Sequence, residues 1–358
     1  MTGTLILTVL AVTGSPDFQS ILDRLREGQE APGVSAAVVR EGEELFAGAS
    51  GLADLESGRA MTADTSLYAG SLTKIFTAVL TLHLVEQGDL SLEDVVVRIG
   101  GSASRDEVAI TVFDLLTHTS GLEREGDFGY WFTADFPDER ALADYLLRAE
   151  LRELSGSSTL YSNVGYAALA PIIERASGEA YNEALHSRVL EPLGLTSTGA
   201  PGPGPDVATG YTPIGRVLPS EDRPFAGVGR EVAGRHVREY HDAGAMAPAF
   251  GAYSSASDLG RLARFLLGNG GDDVLSSAAR ARMLTAQASG RGLGLRVGRR
   301  NGRRAAWHDG WFAAHRSHLY LDLDARLGVV VLTNSDGADP YEIAGMLAAA
   351  ALGQGQDE

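Results

Sequence analysis

Strand-forming patterns stand at both ends of this chain, and a mostly helical stretch separates them. Residues 34–39 and 44–49 flank a Glu-Gly-Glu turn and predict a hairpin near the N-terminus. Four further strands are predicted near the C-terminus, at residues 293–297, 304–308, 317–322 and 328–333. Asn301-Gly302 predicts a tight hairpin between the first two of these, because a type I′ turn needs positive φ at both central positions.

Helical patterns account for most of the remaining chain. An apolar stripe predicts a helix at 18–27, and a strongly apolar one follows at 72–85. Residues 90–195 are predicted to be mostly helical, with segments near 112–117, 138–149, 164–176 and 180–189. Further helices are predicted at 257–267, 277–286 and 341–352. Residues 199–244 are rich in Gly and Pro, which predicts a long surface loop.

We therefore expect an α+β fold, in which both termini build one antiparallel sheet that is flanked by helices. A mostly helical insert interrupts that sheet. The predicted division is a sheet domain from 17–75 and 246–358, a helical domain at 76–245, and an N-terminal extension at 1–16. The catalytic cleft is expected where the sheet and the insert meet.

Charge and composition exclude several classes of function. The 358 residues include 30 basic and 47 acidic ones, a formal net charge of −17. Such a charge argues against nucleic acid or an anionic membrane surface as the partner. The absence of cysteine excludes disulfides, Cys-ligated zinc and thiol nucleophiles. Because no phosphate-binding loop, dinucleotide fingerprint or metal-binding spacing occurs, we expect no cofactor, no metal and a small-molecule partner.

The first residues do not match a secretion signal. Residues 5–12 are apolar, but no basic residue precedes them and no clear small-x-small cleavage site follows. The run is also too short to span a membrane. We therefore expect an extra strand or arm, and a cytoplasmic rather than an exported protein.

Ser71 and Lys74 are the first candidates for chemistry. Spaced i and i+3 at a predicted helix start, they share one helical face, so the amine can reach the hydroxyl. A serine needs a base to become a nucleophile, and a Lys amine serves once its pKa is lowered. The alternative is a helix-capping Ser71 and a surface lysine. However, 29 of the 30 basic residues are Arg, and only residue 74 is Lys. A base at this position requires Lys, because Arg does not lose its proton in proteins.

Two further short patterns follow in the chain. Tyr161-Ser162-Asn163 precedes a predicted helix, so Tyr161 could relay a proton while Asn163 holds Lys74 or a substrate carbonyl. The alternative is a packed Tyr161 with Asn163 as an ordinary N-cap. His308-Asp309-Gly310 ends a predicted strand, where Gly310 permits close backbone approach and the next N–H can stabilise an oxyanion.

Taken together and in this order, the patterns resemble the serine β-lactamase and penicillin-binding-protein superfamily, in its class C-like branch. Ser71-x-x-Lys74 resembles its nucleophile motif, and Tyr-x-Asn and His-x-Gly resemble the second and third motifs. Residues 115–122, Leu-Leu-Thr-His-Thr-Ser-Gly-Leu, and 328–334 also resemble this branch, so that the resemblance covers about residues 18–352. The branch includes family VIII carboxylesterases, D-aminopeptidases and D,D-carboxypeptidases.

The resemblance implies a role for each motif residue. Ser71 would form an acyl-enzyme, with Lys74 and Tyr161 sharing the proton transfers, and either of these two as the base. The backbone N–H groups of Ser71 and Trp311 would form the oxyanion hole. Asn163 and His308 would orient the substrate.

The chain departs from the family pattern at the third motif. His308 replaces the lysine that is common there, and it is a weaker, pH-dependent cation. Trp311 and Phe312 follow where relatives often have Gly and small residues, which should narrow the acyl pocket. These departures favour ester hydrolysis over antibiotic hydrolysis.

Other polar and aromatic groups fit simpler interpretations. The aromatic run 128–132 predicts either a wall of an apolar substrate site or a satellite core cluster. Arginines flank the Asn301-Gly302 turn; they are Arg296, Arg299, Arg300, Arg303 and Arg304. They could form a basic patch that holds an anion, but a solvated surface is the favoured interpretation. Two histidine pairs are interpreted as loop or strand residues; they are His236 with His241 and His315 with His318.

The function expected from these residues is a serine hydrolase acting on small esters or amides, with a carboxylesterase favoured. Alternatives are a D,D-carboxypeptidase or D-aminopeptidase, or a weak β-lactamase. Acyl transfer to an acceptor other than water would use the same residues. A catalytically silent binding or scaffold protein is the alternative of another class, and the intact Ser71, Lys74 and Tyr161 speak against it.

Overall fold

The computed structural model describes residues 16–100, 107–151, 156, 158–200, 206–214, 230–238, 242–287 and 290–353. The predicted N-terminal arm and His241 lie outside this range. The helices are α1 Phe18–Gly28, α2 Thr73–Gln87, α3 Val112–Thr117, α4 Tyr130–Thr133, α5 Glu139–Arg148, α6 Asn163–Ala167, α7 Ala170–Ser177, α8 Tyr181–Leu185, α9 Ala247–Phe250, α10 Ala256–Leu266, α11 Ser277–Met283 and α12 Pro340–Ala351. A 3₁₀ turn, Gly70–Leu72, precedes α2.

The strands are β1 Gly33–Arg40, β2 Glu43–Asp54, β3 Arg59–Ala60, β4 Leu67–Tyr68, β5 Val95–Gly100, β6 Glu107–Thr111, β7 Gly210–Pro213, β8 Glu231–Val232, β9 Arg235–Arg238, β10 Tyr253–Ser254, β11 Arg296–Arg300, β12 Arg303–Phe312, β13 His315–Asp322 and β14 Leu327–Thr333. Seven of them form one antiparallel sheet in the order β11-β12-β13-β14-β1-β2-β3.

The pairing of β1 with β14 joins the two ends of the chain. Val34 pairs with Thr333, and the antiparallel register continues to the pair Arg40 and Leu327. Both strands are almost wholly buried, because helices cover both faces of the sheet. This confirms the predicted α+β fold with a sheet built from both termini.

Each face of the sheet has its own apolar core. On one face, α1 and α12 pack against β1, β2 and β14 through side chains such as Phe18, Leu22 and Ile343. On the other face, α10 packs on the sheet, and the same larger core includes α2 and the helices of the insert. Helix α2 has eleven buried residues out of fifteen, so it is fixed on nearly all sides. The sheet and the insert thus hold its N-terminal end firmly.

The secondary structure predicted for the insert is wrong in two places. Strands β5 and β6 form a hairpin within the stretch predicted as mostly helical; its residues 95–99 and 107–111 are rich in β-branched side chains. The described parts of the predicted surface loop at 199–244 contain the three-stranded sheet β7-β9-β8. Its strands are two to four residues long, too short to show a periodicity, and Gly and Pro dominate the composition around them.

At the C-terminal end the predictions are close. The hairpin turn lies at Asn301 and Gly302, which have φ of 49° and 75° as the predicted turn type requires. Strand β11 begins at Arg296 rather than at residue 293, although Leu293 and Leu295 are buried as predicted for a strand. Among the described residues, no helix has the length and apolar composition needed to cross a membrane.

Candidate active site

Ser71 lies in the 3₁₀ turn that leads into α2, against the end of strand β12. Gly70 has φ of +54°, which favours glycine, and a Cβ there would come within 2.3 Å of the Trp311 nitrogen. The backbone of Trp311 therefore lies directly beside the turn that carries Ser71. Ser71 does not cap α2, whose N-cap is Leu72 without a side-chain hydrogen bond, so the helix-cap interpretation is wrong.

The amine of Lys74 lies between Ser71 and two acceptors. Its Nζ donates to Asn163 Oδ1 and to the Ala249 carbonyl, each at 2.7 Å, and lies 3.3 Å from Ser71 Oγ. The side chain is fully buried. Burial holds the pKa of Lys74 well below its ordinary value of 10.5, against the raising effect of the nearby Glu125 carboxylate. A lysine in this state can take up a proton from Ser71.

The hydroxyl of Tyr161 donates to Ser71 Oγ at 2.8 Å. Burial raises the pKa of Tyr161 to about 12, and the bond to Ser71 and two nearby guanidinium groups partly oppose this rise. Those groups belong to Arg124 and Arg291, whose Cζ atoms lie 5.6 and 5.5 Å from the Tyr161 ring centroid. Tyr161 is therefore a neutral proton donor at physiological pH.

His118 holds the Tyr161 segment in place. Its ring lies 4.4 Å from the Tyr161 ring, centroid to centroid, and its Nδ1 accepts a hydrogen bond from the Ser162 nitrogen at 3.1 Å. Burial keeps the pKa of His118 well below 6.5, so the imidazole is neutral and Nδ1 can accept. Ser162, rather than Asn163, caps α6, and the N-cap interpretation of Asn163 is therefore wrong.

Strand β12 brings the third motif to the same place. His308 is buried, with its ring 6.2 Å from that of Tyr161, and its Nδ1 lies 2.7 Å from the Asp309 carbonyl. Burial, reinforced by the charge of Lys74, lowers the pKa of His308 to about 3. At Gly310, a Cβ would come within 2.1 Å of the Ala69 carbonyl, so only glycine allows β12 to lie this close to Ser71.

A cleft of about 270 Å³ opens beside Ser71. It is lined by Ser71, Arg124, Trp131, Tyr161, Asn163, Phe250, Arg296, His308, Asp309, Gly310, Trp311 and Arg316. The structure thus brings together all seven residues singled out by the motifs: six of them line the cleft and Lys74 lies buried behind Ser71.

Aromatic side chains form one wall of this cleft. The rings of Trp131 and Trp311 lie 5.3 Å apart, and the Trp311 indole nitrogen donates to Asp336. Tyr130, the neighbour of Trp131, is fully buried in the core. The aromatic run therefore has both predicted roles, with Trp131 in the wall and Tyr130 in the core, whereas the side chain of Phe132 lies outside the described part.

Sequence reasoning missed several groups that contact the motif residues. Glu125 accepts hydrogen bonds from Asn163 Nδ2, and Arg124 and Arg291 lie near Tyr161. Arg296 is exposed, as expected for a solvated surface, and it also lines the cleft. These groups lie far from their partners in sequence, and no spacing rule connects them.

Comparison with known proteins finds relatives of this chain. A family model described as Beta-lactamase matches residues 18–353. Esterase EstB of Burkholderia gladioli is 33% identical over 204 residues, which cover 51% of this chain and 50% of that protein. The D-alanyl-D-alanine-carboxypeptidase/endopeptidase AmpH of Escherichia coli K12 is 29% identical over 194 residues, 51% of this chain and 50% of that protein. The alignments thus span about half the length of these curated relatives.

Solved structures match over nearly the whole chain. The octameric penicillin-binding protein homologue from Pyrococcus abyssi is 25% identical and superposes with a TM-score of 0.75. The match covers 94% of this chain and 77% of that one. The chain therefore has a fold that is already known from solved structures.

Proposed function

The chain belongs to the β-lactamase family, and we propose that it is a serine hydrolase that cleaves small esters through an acyl-enzyme on Ser71. One observation carries the proposal. Ser71 Oγ lies 3.3 Å from a buried lysine amine and accepts a hydrogen bond from a neutral tyrosine. This arrangement has a proton acceptor and a proton donor at one nucleophile, as acyl transfer requires.

In the acylation step, Ser71 Oγ attacks the ester carbonyl and passes its proton to Lys74 Nζ. The negative charge that develops on the carbonyl oxygen is stabilised by the backbone N–H groups of Ser71 and Trp311. The C–O bond to the alcohol then breaks. The alcohol takes its proton from Tyr161, and the proton held by Lys74 Nζ then returns to the Tyr161 phenolate.

In the deacylation step, water attacks the acyl-enzyme. The water proton passes to Lys74 Nζ, and the bond between the acyl carbon and Ser71 Oγ breaks. Ser71 regains its proton as the carboxylic acid leaves. Lys74 and Tyr161 thus return to their starting states, and no other reactant is needed.

The cleft supports esters over β-lactams. His308 is neutral, because its pKa is lowered to about 3, so it offers no charge to the carboxylate of a β-lactam. Trp131 and Trp311 form one wall of the cleft and limit the space for a bulky acyl group. The similarity to an esterase over half the chain is consistent with this choice.

One observation favours a second candidate, a D,D-carboxypeptidase. Three guanidinium groups line the cleft, from Arg124, Arg296 and Arg316, together with one carboxylate, from Asp309. A net positive cleft in a chain of net charge −17 suits a substrate with a free carboxylate. AmpH, named as a carboxypeptidase, is similar over half of this chain.

A substrate panel tests both candidates. It consists of p-nitrophenyl esters from acetyl to decanoyl, nitrocefin, D-amino-acid p-nitroanilides and an acyl-D-Ala-D-Ala peptide, with Ser71→Ala as the control. We expect hydrolysis of the short esters that Ser71→Ala abolishes, and weak or no turnover of nitrocefin. Turnover of the peptide above that of every ester would replace the first candidate by the second. No Ser71-dependent turnover of any substrate would exclude both.

A further inference from the structure

Glu125 is an acidic side chain at the back of the site that none of the three motifs contains. Both of its carboxylate oxygens accept from Asn163 Nδ2 at 2.9 Å. It also accepts from the Tyr130 hydroxyl and lies 3.1 Å from Arg124 Nε. Its side chain is only 17% exposed. A nearly buried carboxylate with three protein partners is held in one position.

This carboxylate determines which way the Asn163 amide faces. An ionised carboxylate only accepts hydrogen bonds, so the amide must turn its Nδ2 toward Glu125. Asn163 is 2% exposed, and its Oδ1 is left to face Lys74 Nζ at 2.7 Å. A flipped amide would place an N–H group against Lys74 instead.

The orientation of the amide in turn determines where the lone pair of Lys74 points. A neutral amine has two hydrogens and one lone pair. Two of the three neighbours of Nζ, Asn163 Oδ1 and the Ala249 carbonyl, only accept, so both hydrogens go to them. The lone pair then faces the third neighbour, Ser71 Oγ at 3.3 Å. Lys74 is thus oriented to accept the Ser71 proton.

We propose that Glu125 is a positioning residue, which locks the Asn163 amide and thereby directs the lone pair of Lys74 at Ser71. The proposal rests on the proposed acyl-enzyme function. Glu125 does not itself line the cleft, and its contact with the catalytic residues runs through Asn163, so it acts through that amide and through its charge. That charge opposes the effect of burial on the pKa of Lys74.

The chain itself offers a direct probe, because Lys74 is its only lysine. Protein labelled with [ε-¹³C]lysine gives one side-chain signal, whose titration reports the pKa of Lys74 without any turnover. The test variant is Glu125→Gln, which keeps the shape but removes the charge and the acceptor-only constraint. Glu123→Gln, two residues away, is the matched control. Circular dichroism checks that each variant is folded.

We expect the Glu125→Gln signal to titrate at lower pH than wild type, and the acid limb of kcat/KM for a short ester to move in the same direction. We expect the plateau of kcat/KM to fall about 10-fold, as for loss of one charged hydrogen bond, because Asn163 can then flip. Glu123→Gln should change neither. If Glu125→Gln does not fold, Glu125→Asp keeps a carboxylate that is one methylene shorter and should give a smaller effect in the same direction.

Two results would overturn the proposal. One is an unchanged lysine titration and unchanged kcat/KM in Glu125→Gln. The other is an equal loss of activity in Glu125→Gln and Glu123→Gln, with neither the lysine titration nor the acid limb of kcat/KM shifted. In that case this loop would need its native sequence only for its structure. Failure of the proposed function is a different result: wild type then hydrolyses no ester, while the lysine titration still tests whether Glu125 acts on Lys74.

Discussion

The hydroxyl of Tyr161 donates to Ser71 Oγ at 2.8 Å, and the pKa of Tyr161 is raised to about 12. A phenol in this state keeps its proton at neutral pH and can give it up only to a stronger base. The alkoxide of a departing alcohol is such a base. The two proton-transfer roles are therefore divided, with Lys74 accepting the Ser71 proton and Tyr161 donating a proton to the departing alcohol.

This division predicts that Tyr161→Phe affects poor leaving groups most. We expect kcat for an alkyl acetate to fall about 10²-fold or more, as for loss of a general acid. The fall for p-nitrophenyl acetate should be smaller, because p-nitrophenolate leaves without a proton. Parallel kinetics with the two esters make the comparison. An equal loss for both would mean that Tyr161 only positions Ser71.

Lys74→Arg tests whether the lysine is a base or only a charge. Arginine keeps a positive charge but does not release its proton in proteins. We expect kcat to fall roughly 10²-fold or more while the protein stays folded. Turnover near that of wild type would show that Lys74 supplies charge alone.

Trp311→Gly tests the selectivity of the pocket. The Trp311 indole packs on Trp131 and donates a hydrogen bond to Asp336. The glycine variant loses the indole but keeps the backbone N–H. We expect kcat/KM to rise for bulky acyl groups and to fall modestly for acetyl to butyryl esters. Trp311→Phe, which retains an aromatic ring, should change little. A uniform loss for every ester would mean that Trp311 shapes the strand and not the pocket.

Gly70→Ala tests the contact between the Ser71 turn and β12. A Cβ at residue 70 meets the Trp311 backbone at 2.3 Å, so the two segments must separate and activity should be lost. Gly58→Ala is the matched control, because Gly58 also has positive φ, +71°, but has nothing within 4 Å. It should lower the free energy of unfolding by about 1–2 kcal/mol and leave kcat/KM unchanged. Equal activity of Gly70→Ala and Gly58→Ala in an ester assay would show that the close contact between the Ser71 turn and β12 is not needed for activity.

The depressed pKa of His308 predicts a pH dependence of stability. The pKa is about 3 in the folded state and near 6.5 in the unfolded one, so only the unfolded chain takes up this proton between those values. The free energy of unfolding should therefore fall as pH drops from about 6.5 toward 3. His308→Gln removes this contribution, so denaturant titrations at pH 7 and pH 4 should differ less in the variant. An equal difference in both proteins would show that His308 is not buried as a neutral ring.

The sequence predicted the large sheet well because its central strands are continuous apolar runs. Residues 34–39 and 328–333 are mostly apolar, and burial on both faces explains this composition. The hairpin β5–β6 and the sheet β7-β9-β8 were missed, because short strands beside loops carry little periodic signal. The predicted division into two domains stays a prediction.

The candidate site was predictable only where its residues form local motifs. Ser71 and Lys74 are one helical turn apart, so their contact follows from spacing alone. Glu125 contacts Asn163 across 38 residues, and Arg291 approaches Tyr161 across a still longer stretch of chain. Such contacts depend on how the insert packs against the sheet. No periodicity in the sequence expresses that packing.

Covalent labelling tests directly whether Ser71 is the nucleophile that forms the acyl-enzyme. Wild-type protein and Ser71→Ala are incubated with a fluorophosphonate probe or with a slowly hydrolysed ester. Each protein is then digested, and its peptide masses are measured by mass spectrometry. We expect one added mass, on the peptide that contains Ser71, and none in Ser71→Ala. Labelling that persists in Ser71→Ala, or that falls on another serine in wild type, contradicts this expectation.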